Sequence, residues 1–153
     1  MAAGAAIVAE AGLDALTTRA LGERLDVHST AIYRHFPDWD GLVVAITDVV
    51  VGQAGAMILG QVGPLPTPRA RLAMIARMTR GAVGQQPDLA RMIVTVIQSD
   101  TVVPTPNIDQ FMRAVTGELR ALGLRGPDVA VGLHAYEGLL LGSICADYLG
   151  APN

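Results

Sequence analysis

Apolar residues recur three and four positions apart along almost the whole chain, and nowhere do they alternate at period two over a useful length. That spacing puts the apolar side chains on helical stripes and excludes a half-buried sheet, so the fold is expected to be all-α. With 51% apolar and only 16% charged residues in 153, the chain needs a buried core, a buried subunit interface, or both. The longest apolar run, near Gly41–Val51, holds Thr47 and Asp48 and keeps helical spacing. It is expected to be a buried helix, with no run reaching the length of a membrane span. The start, MAAGAAIVAEAG, lacks the basic segment and long apolar stretch of a secretory signal. One cysteine, Cys145, excludes an intrachain disulfide and a cysteine-rich metal site, and is expected to be an inert core residue. A cytoplasmic location without membrane attachment is the expectation.

Turn and cap residues divide the pattern into helices. The first is expected over about 2–12, with Ile7, Val8 and Ala11 inward and Gly12 closing it. Thr17 or Thr18 caps a short second helix to Leu25, and a third runs from about Ser29 to His35. Asp38 opens a fourth with the stripe Leu42, Val43, Ile46, Val49 and Val50, fading near Gly60. The Pro/Gly loop 60–68 ends in Thr67-Pro68, a cap with proline at the first position of the fifth helix. Helices from about Pro87, over 107–122 and over 128–149 complete the chain.

Residues 17–36, TTRALGERLDVHSTAIYRHF, carry the chemistry. Two helices crossing at a tight turn need a small residue at the crossing, a turn residue that accepts positive φ, and apolar residues that set the angle. Gly22, Asp26, and Leu21, Leu25, Val27 and Ile32 stand at those positions. Asp visits the left-handed region at modest cost. The second helix then projects Ser29, Thr30, Tyr33 and Arg34 away from the core. Hydroxyls and a phenol donate to phosphate, and an arginine forks onto guanine. Charge points the other way. All eleven basic residues are arginine, the net charge is −3, and residues 1–40 alone set three arginines against six carboxylates. Non-specific DNA affinity comes from neutralising phosphates, so any affinity here must come from placed contacts.

The stretch GLDALTTRALGERLDVHSTAIYRHF resembles the N-terminal domain of the TetR (tetracycline-repressor) family of bacterial transcription regulators. The likeness rests on Thr17-Thr18-Arg19, Asp26-Val27 and Ile32-Tyr33-Arg34-His35-Phe36, followed by Asp40-Gly41-Leu42, and covers about residues 5–50. The resemblance implies a three-helix helix-turn-helix head over 1–38 and a helical effector-binding and dimerisation domain over 39–153. It implies that Thr18, Tyr33 and His35 grip phosphates, that Arg19 reaches a base or the backbone, and that Ser29, Thr30 and Arg34 meet base edges. His28 and Trp39 belong to the same DNA-facing set. Trp39 stands where the family commonly has lysine, and packing under helix one is its bland alternative. The basic arm that usually precedes helix one is absent, and the family often has a further helix beyond the end. The expectation is therefore a chain shortened at either end, or weaker DNA binding.

Beyond the head, few aromatic residues leave room between helices four to eight for a small apolar or amphipathic effector. Met57, Met78, Met92, Met112, His134 and Tyr136 are candidates to line its site, against core filling as the simpler role. Gly138, Gly142 and Ala146, four apart on the last helix, form a smooth stripe with Leu139, Leu140 and Ile144 beside it. Phe111, Val115 and Leu119 make a companion stripe on the helix before. A homodimer interface is expected there, placing two heads on a pseudo-palindromic operator in double-stranded DNA. His28 and His35 near Asp26 and Asp38 read as structural or phosphate-facing rather than as metal ligands, and no metal or cofactor is expected. No serine–histidine–aspartate set, phosphate-binding glycine loop or paired catalytic carboxylates occurs, so an enzyme is not expected. The expected function is a ligand-responsive regulator, a repressor released from its operator by the effector. Its rival is an effector-binding or scaffold dimer whose head has lost DNA binding.

Overall fold

The computed structural model describes residues 1–36, 38–100 and 103–150, apart from the side chains of 144, 145 and 147–150. The expectations for Ile144 and Cys145 lie outside the described side chains. Among the described residues eight α-helices follow one another: α1 (Ala2–Ala11), α2 (Thr18–Leu25), α3 (Ser29–Tyr33), α4 (Trp39–Val62), α5 (Pro68–Gly84), α6 (Pro87–Gln98), α7 (Pro106–Ala121) and α8 (Pro127–Gly150), with a short 3-10 turn at Leu13–Ala15 after α1. No strand occurs among the described residues. The all-α expectation holds. Helix α3 stops at Tyr33, two residues short of the expected end, and Ala11 is exposed rather than inward.

Caps explain the boundaries. The Thr17 hydroxyl accepts from the Ala20 N–H at 3.0 Å, and the Thr67 hydroxyl accepts from the Ala70 N–H at 3.2 Å with Pro68 behind it. An Asp38 carboxylate oxygen accepts from the Gly41 N–H at 2.7 Å and starts α4. Gly12 ends α1 at φ 85, returning its N–H to the Val8 carbonyl at 2.9 Å.

The chain divides into two compact units. One comprises Met1–Val51 with Asp88–Asn107, and the other Gly52–Pro87 with Ile108–Asn153. The first has a core of Ile7, Leu13, Leu16, Leu21, Ile32, Leu42, Val43, Ile46 and Met92. Burying a side chain of this size stabilises by about 1.5–3 kcal/mol. Ile32 therefore matters most to α3, since five residues cannot hold a helix alone. Helix α6 braces this unit from 75 residues away. The Asp88 carboxylate accepts the Leu13 N–H at 3.0 Å, and Arg91 bridges to Asp14 at 2.8 Å and to Asp88 at 3.2 Å. These arginine contacts hold the Asp14 carboxyl below its ordinary range. Asp48, 5% exposed on α4, accepts from both the backbone N–H and the side-chain amide of Asn107, at 2.9 and 2.7 Å. A buried carboxylate is thus satisfied at the start of α7.

In the second unit Ile58, Leu72, Ile75, Val83, Phe111, Val115, Leu119 and Val129 are buried. Arg71 donates to the Leu65 carbonyl at 2.7 Å and pairs with Glu118 at 2.8 Å, joining α5 to α7. Phe111, Val115 and Leu119, expected at a subunit interface, lie instead inside the protomer's own core, with Phe111 packed beside Gly55. The apolar stripe on α7 is consumed within one chain.

Contrary to the expectation that no apolar run reaches membrane-span length, α4 is 24 residues long with a mean hydropathy of 2.0 over its most apolar window. By length and composition it could cross a bilayer. Half of that window is buried within the protein, and it carries the Asp48 carboxylate just described, which reads as a core helix.

Candidate nucleic-acid interface

The α2–α3 corner is built by the backbone. Asp26 adopts φ 55 and ψ 45, making it the one non-glycine residue with positive φ among those described. It turns the chain back so that the Val27 N–H donates to the Gly22 carbonyl at 2.9 Å. Gly22 is buried where the chain returns: a Cβ there would lie 2.7 Å from the Val27 carbonyl oxygen. Leu21 and Ile32 lock the crossing at 1% and 5% exposure. Leu25 and Val27, expected in the same inter-helix core, are exposed at 46% and 44%. The reason is local: Val27 closes the corner with its backbone rather than its side chain, and Leu25 is the last residue of α2.

From this corner α3 presents its outer side. His28, Ser29, Thr30, Tyr33, Arg34 and His35 are all exposed, and Trp39 is exposed at the start of α4. Tyr33, a ring 57% exposed on a short helix, departs from core-forming behaviour and is free to meet a partner. Thr18 is half-buried in the first turn of α2, beside the fully presented Arg19. All the DNA-facing candidates but Trp39 therefore come from one helix-turn-helix, and Arg19, Glu23, Asp26, Val27, His28 and Ser29 line a groove around Gly22.

The electrostatics of this face were only partly legible. The Arg19 Nε donates to Glu23 Oε1 at 2.8 Å, one turn along α2. Arg24 donates to both oxygens of Glu10 at 2.7 Å, a fork-to-fork pair joining α2 to α1. These hydrogen bonds hold both guanidiniums above the ordinary arginine range and the Glu10 carboxyl below its own. Arg34 has no ion pair among the described residues. Glu23 stands four residues after Arg19, the spacing of a helical ion pair.

The effector-site candidates are divided between the two units. Met92, 1% exposed, fills the core of the first unit, so its methionine is spent on packing around Ile7 and Leu42. The others belong to the second unit. Met57 is 65% exposed, Met78 and Met112 are half-buried, and His134 is exposed with Nδ1 2.8 Å from the Ala130 carbonyl oxygen. Tyr136 is half-buried on α8, and burial raises its hydroxyl pKa to about 12. Its hydroxyl and that of Thr79 on α5 are buried without a hydrogen-bond partner among the described residues. On α8, Gly138, Gly142 and Ala146 are exposed, as is Leu139 at 78%.

Comparison with known proteins agrees with this geometry. Residues 1–46 match the family described as bacterial regulatory proteins, tetR family. Among curated proteins, the nucleoid occlusion factor SlmA of Marinomonas sp. (strain MWYL1) is 24% identical over 139 residues, covering 88% of this chain. The chain spans 66% of that relative's length. Among solved structures, one described as "a possible TetR family transcriptional regulator" from Streptomyces coelicolor A3(2) superposes with a TM-score of 0.71 at 26% identity. The match covers 99% of this chain and 71% of that one. BioQ bound to its double-stranded DNA operator superposes with a TM-score of 0.68 at 23% identity, covering 96% and 83%. The second of these likenesses concerns the fold alone.

Proposed function

Through residues 1–46 the chain belongs to the tetR family of bacterial regulatory proteins, and from that premise we propose that it is a ligand-responsive transcriptional repressor. It binds a pseudo-palindromic operator as a homodimer and leaves it when a small effector occupies the second unit. The observation that carries the reading is the set of exposed polar and aromatic side chains on α3, held out from a corner closed by Gly22 and Asp26. Ser29, Thr30 and Arg34 suit base edges, while Thr18, Tyr33 and His35 suit phosphates. BioQ, of the same fold, binds a double-stranded operator.

Two copies are needed because one head is a poor polyelectrolyte binder: its nearest arginines are partly neutralised by its own carboxylates. Linking two heads turns the second contact into an intramolecular event. Support for a partner copy comes from the smooth exposed stripe of Gly138, Gly142 and Ala146 beside Leu139. The effector reading is supported by the buried hydroxyls of Thr79 and Tyr136, since an unmade hydrogen bond costs about 1–3 kcal/mol that a polar ligand atom could recover. Regulation then follows from a shift between DNA-compatible and DNA-incompatible head spacings, with α4, which runs from one unit into the other, as the lever. The chemistry is binding rather than catalysis, in the cytoplasm.

Fluorescence anisotropy with the promoter adjoining the protein's own gene tests the reading. Specific binding that Tyr33→Ala and Arg19→Ala abolish supports a regulator. Absent or salt-independent binding by folded protein supports the rival, an effector-binding or scaffold dimer that has lost DNA binding.

A further inference from the structure

We infer that the effector is a neutral, largely apolar molecule carrying a hydrogen-bond-accepting oxygen, and that Thr79 and Tyr136 are the residues that recognise that oxygen. The inference rests on the effector reading of the second unit and narrows it to a chemical class. Thr79 stands on the inward stripe of α5, with the buried Ile75 and Val83 one turn away on either side. Tyr136 stands one turn beyond Gly132 and two beyond the buried Val129 on α8. That side of α8 is turned to the core: a Cβ on Gly132 would lie 2.6 Å from the Leu124 side chain and 3.7 Å from that of Leu119. Helices α5 and α8 pack on each other within this unit. Both hydroxyl oxygens are shielded from solvent, and neither has a hydrogen-bond partner among the described residues.

Unpaired hydroxyls on packed faces weaken the free protein, whereas valine and phenylalanine would fill the same space without the penalty. Polar groups kept at such a cost mark a functional site rather than a core. A phenol donates more readily than it accepts, because its oxygen lone pair is drawn into the ring, and a threonine hydroxyl rotates to donate as well. The complement of both is an oxygen acceptor. Its charge follows from the surroundings. Burial alone raises the Tyr136 pKa, with no charged side chain contributing. Glu118, half-buried in the same unit, is already paired with Arg71 at 2.8 Å. A carboxylate or ammonium beside these hydroxyls would therefore lack a counter-charge, and an unpaired buried charge costs far more than an unpaired hydroxyl. A ketone or ester oxygen accepts the hydrogen bonds without that cost.

Binding is measured through the ligand-dependent rise of the full chain's thermal midpoint. The probes are heptan-2-one, heptanoate, heptylammonium, and 2-methylhept-1-ene, which has the ketone's skeleton with a methylene in place of the carbonyl oxygen. Wild type is expected to bind heptan-2-one at least about tenfold more tightly than either ion. Tyr136→Phe and Thr79→Val each weaken heptan-2-one roughly tenfold and leave 2-methylhept-1-ene within about twofold. Without ligand, both variants melt about 2–6 °C above wild type, because each loses an unpaired buried hydroxyl. A hydroxyl with a purely structural role would not give higher stability together with lower affinity for the ketone alone. Variants that melt below wild type, or that weaken ketone and alkene alike, overturn the inference. Tighter binding of heptanoate or heptylammonium than of the ketone also overturns it, and release of the promoter duplex by that ion would leave the effector reading standing. If none of the four probes raises the midpoint, the inference falls, while promoter binding measured without ligand still decides the regulator reading.

Discussion

Gly22→Ala separates two opposite effects of one methyl group. On an ordinary helix position the change stabilises by about 0.8–1 kcal/mol, because alanine is the better helix former. Here the new Cβ would stand 2.7 Å from the Val27 carbonyl oxygen, 3.5 Å from the Ser29 nitrogen and 3.7 Å from the Ser29 Cα. All three are backbone atoms and cannot swing aside as a side-chain tip would. Restoring an ordinary separation of 3.4 Å requires the corner to open by at least about 0.7 Å. That movement strains the overpacked crossing by about 1–3 kcal/mol. It also weakens the 2.9 Å hydrogen bond from the Val27 N–H to the Gly22 carbonyl, worth about 1 kcal/mol. The clash outweighs the propensity, and the net expectation is a loss of about 1–3 kcal/mol, or roughly 3–10 °C in Tm for a chain of this size. Urea denaturation followed by circular dichroism measures it as a lower midpoint at unchanged slope. Promoter affinity falls further than stability does, because α3 leaves its register. A variant as stable as wild type, or more stable by close to 1 kcal/mol, would mean that α2 and α3 do not cross as described.

Other expectations concern caps, the buried carboxylate and alkaline pH. Thr17→Ala removes the hydroxyl that caps α2 and costs about 1 kcal/mol in the same denaturation experiment, whereas Ser in that place keeps most of it. Asp48→Ala strands the Asn107 N–H and amide and costs about 1–3 kcal/mol, a larger loss than any exposed-carboxylate substitution in the chain. For Tyr136, burial favours the neutral phenol in the folded state, with a pKa of about 12 against an ordinary value of 10.0. The folded form therefore keeps its proton where the unfolded chain loses it, so stability is intact below pH 10 and declines as pH rises through the folded value. Ultraviolet difference titration should find a tyrosine ionising near pH 12, and Tyr136→Phe should remove that step and lessen the alkaline loss. A titration unaltered in Tyr136→Phe would contradict the burial of this hydroxyl.

The parts of this fold that could be read in the sequence are those decided within a few residues. Thr17, Asp38 and Thr67-Pro68 announce helix starts because a hydroxyl or carboxylate meets an N–H three residues on. Asp26 is legible as the turn because few residue types tolerate the left-handed region. Side-chain destinations were less so. Leu25 and Val27 have the composition of core residues, but the returning backbone, not their side chains, closes the corner. The stripe of Phe111, Val115 and Leu119 needs covering, and its spacing cannot distinguish a neighbouring helix of the same chain from a second copy. Met92 and the Asp88–Arg91 brace act on the N-terminal unit across more than 70 residues of sequence, in the case of the brace, and no local pattern encodes that. At the candidate site, the residue types on α3 were legible, whereas the engagement of Arg24 by Glu10, fourteen residues earlier, depended on how α1 meets α2.

Hydroxyl-radical footprinting of the full chain on the promoter adjoining its own gene tests the central claim most directly. The account predicts two protected patches centred about one helical turn apart, or a whole multiple of it, with protection of both patches lost together in Tyr33→Ala. Uniform cleavage along the promoter, at protein concentrations where the chain is folded, would contradict it.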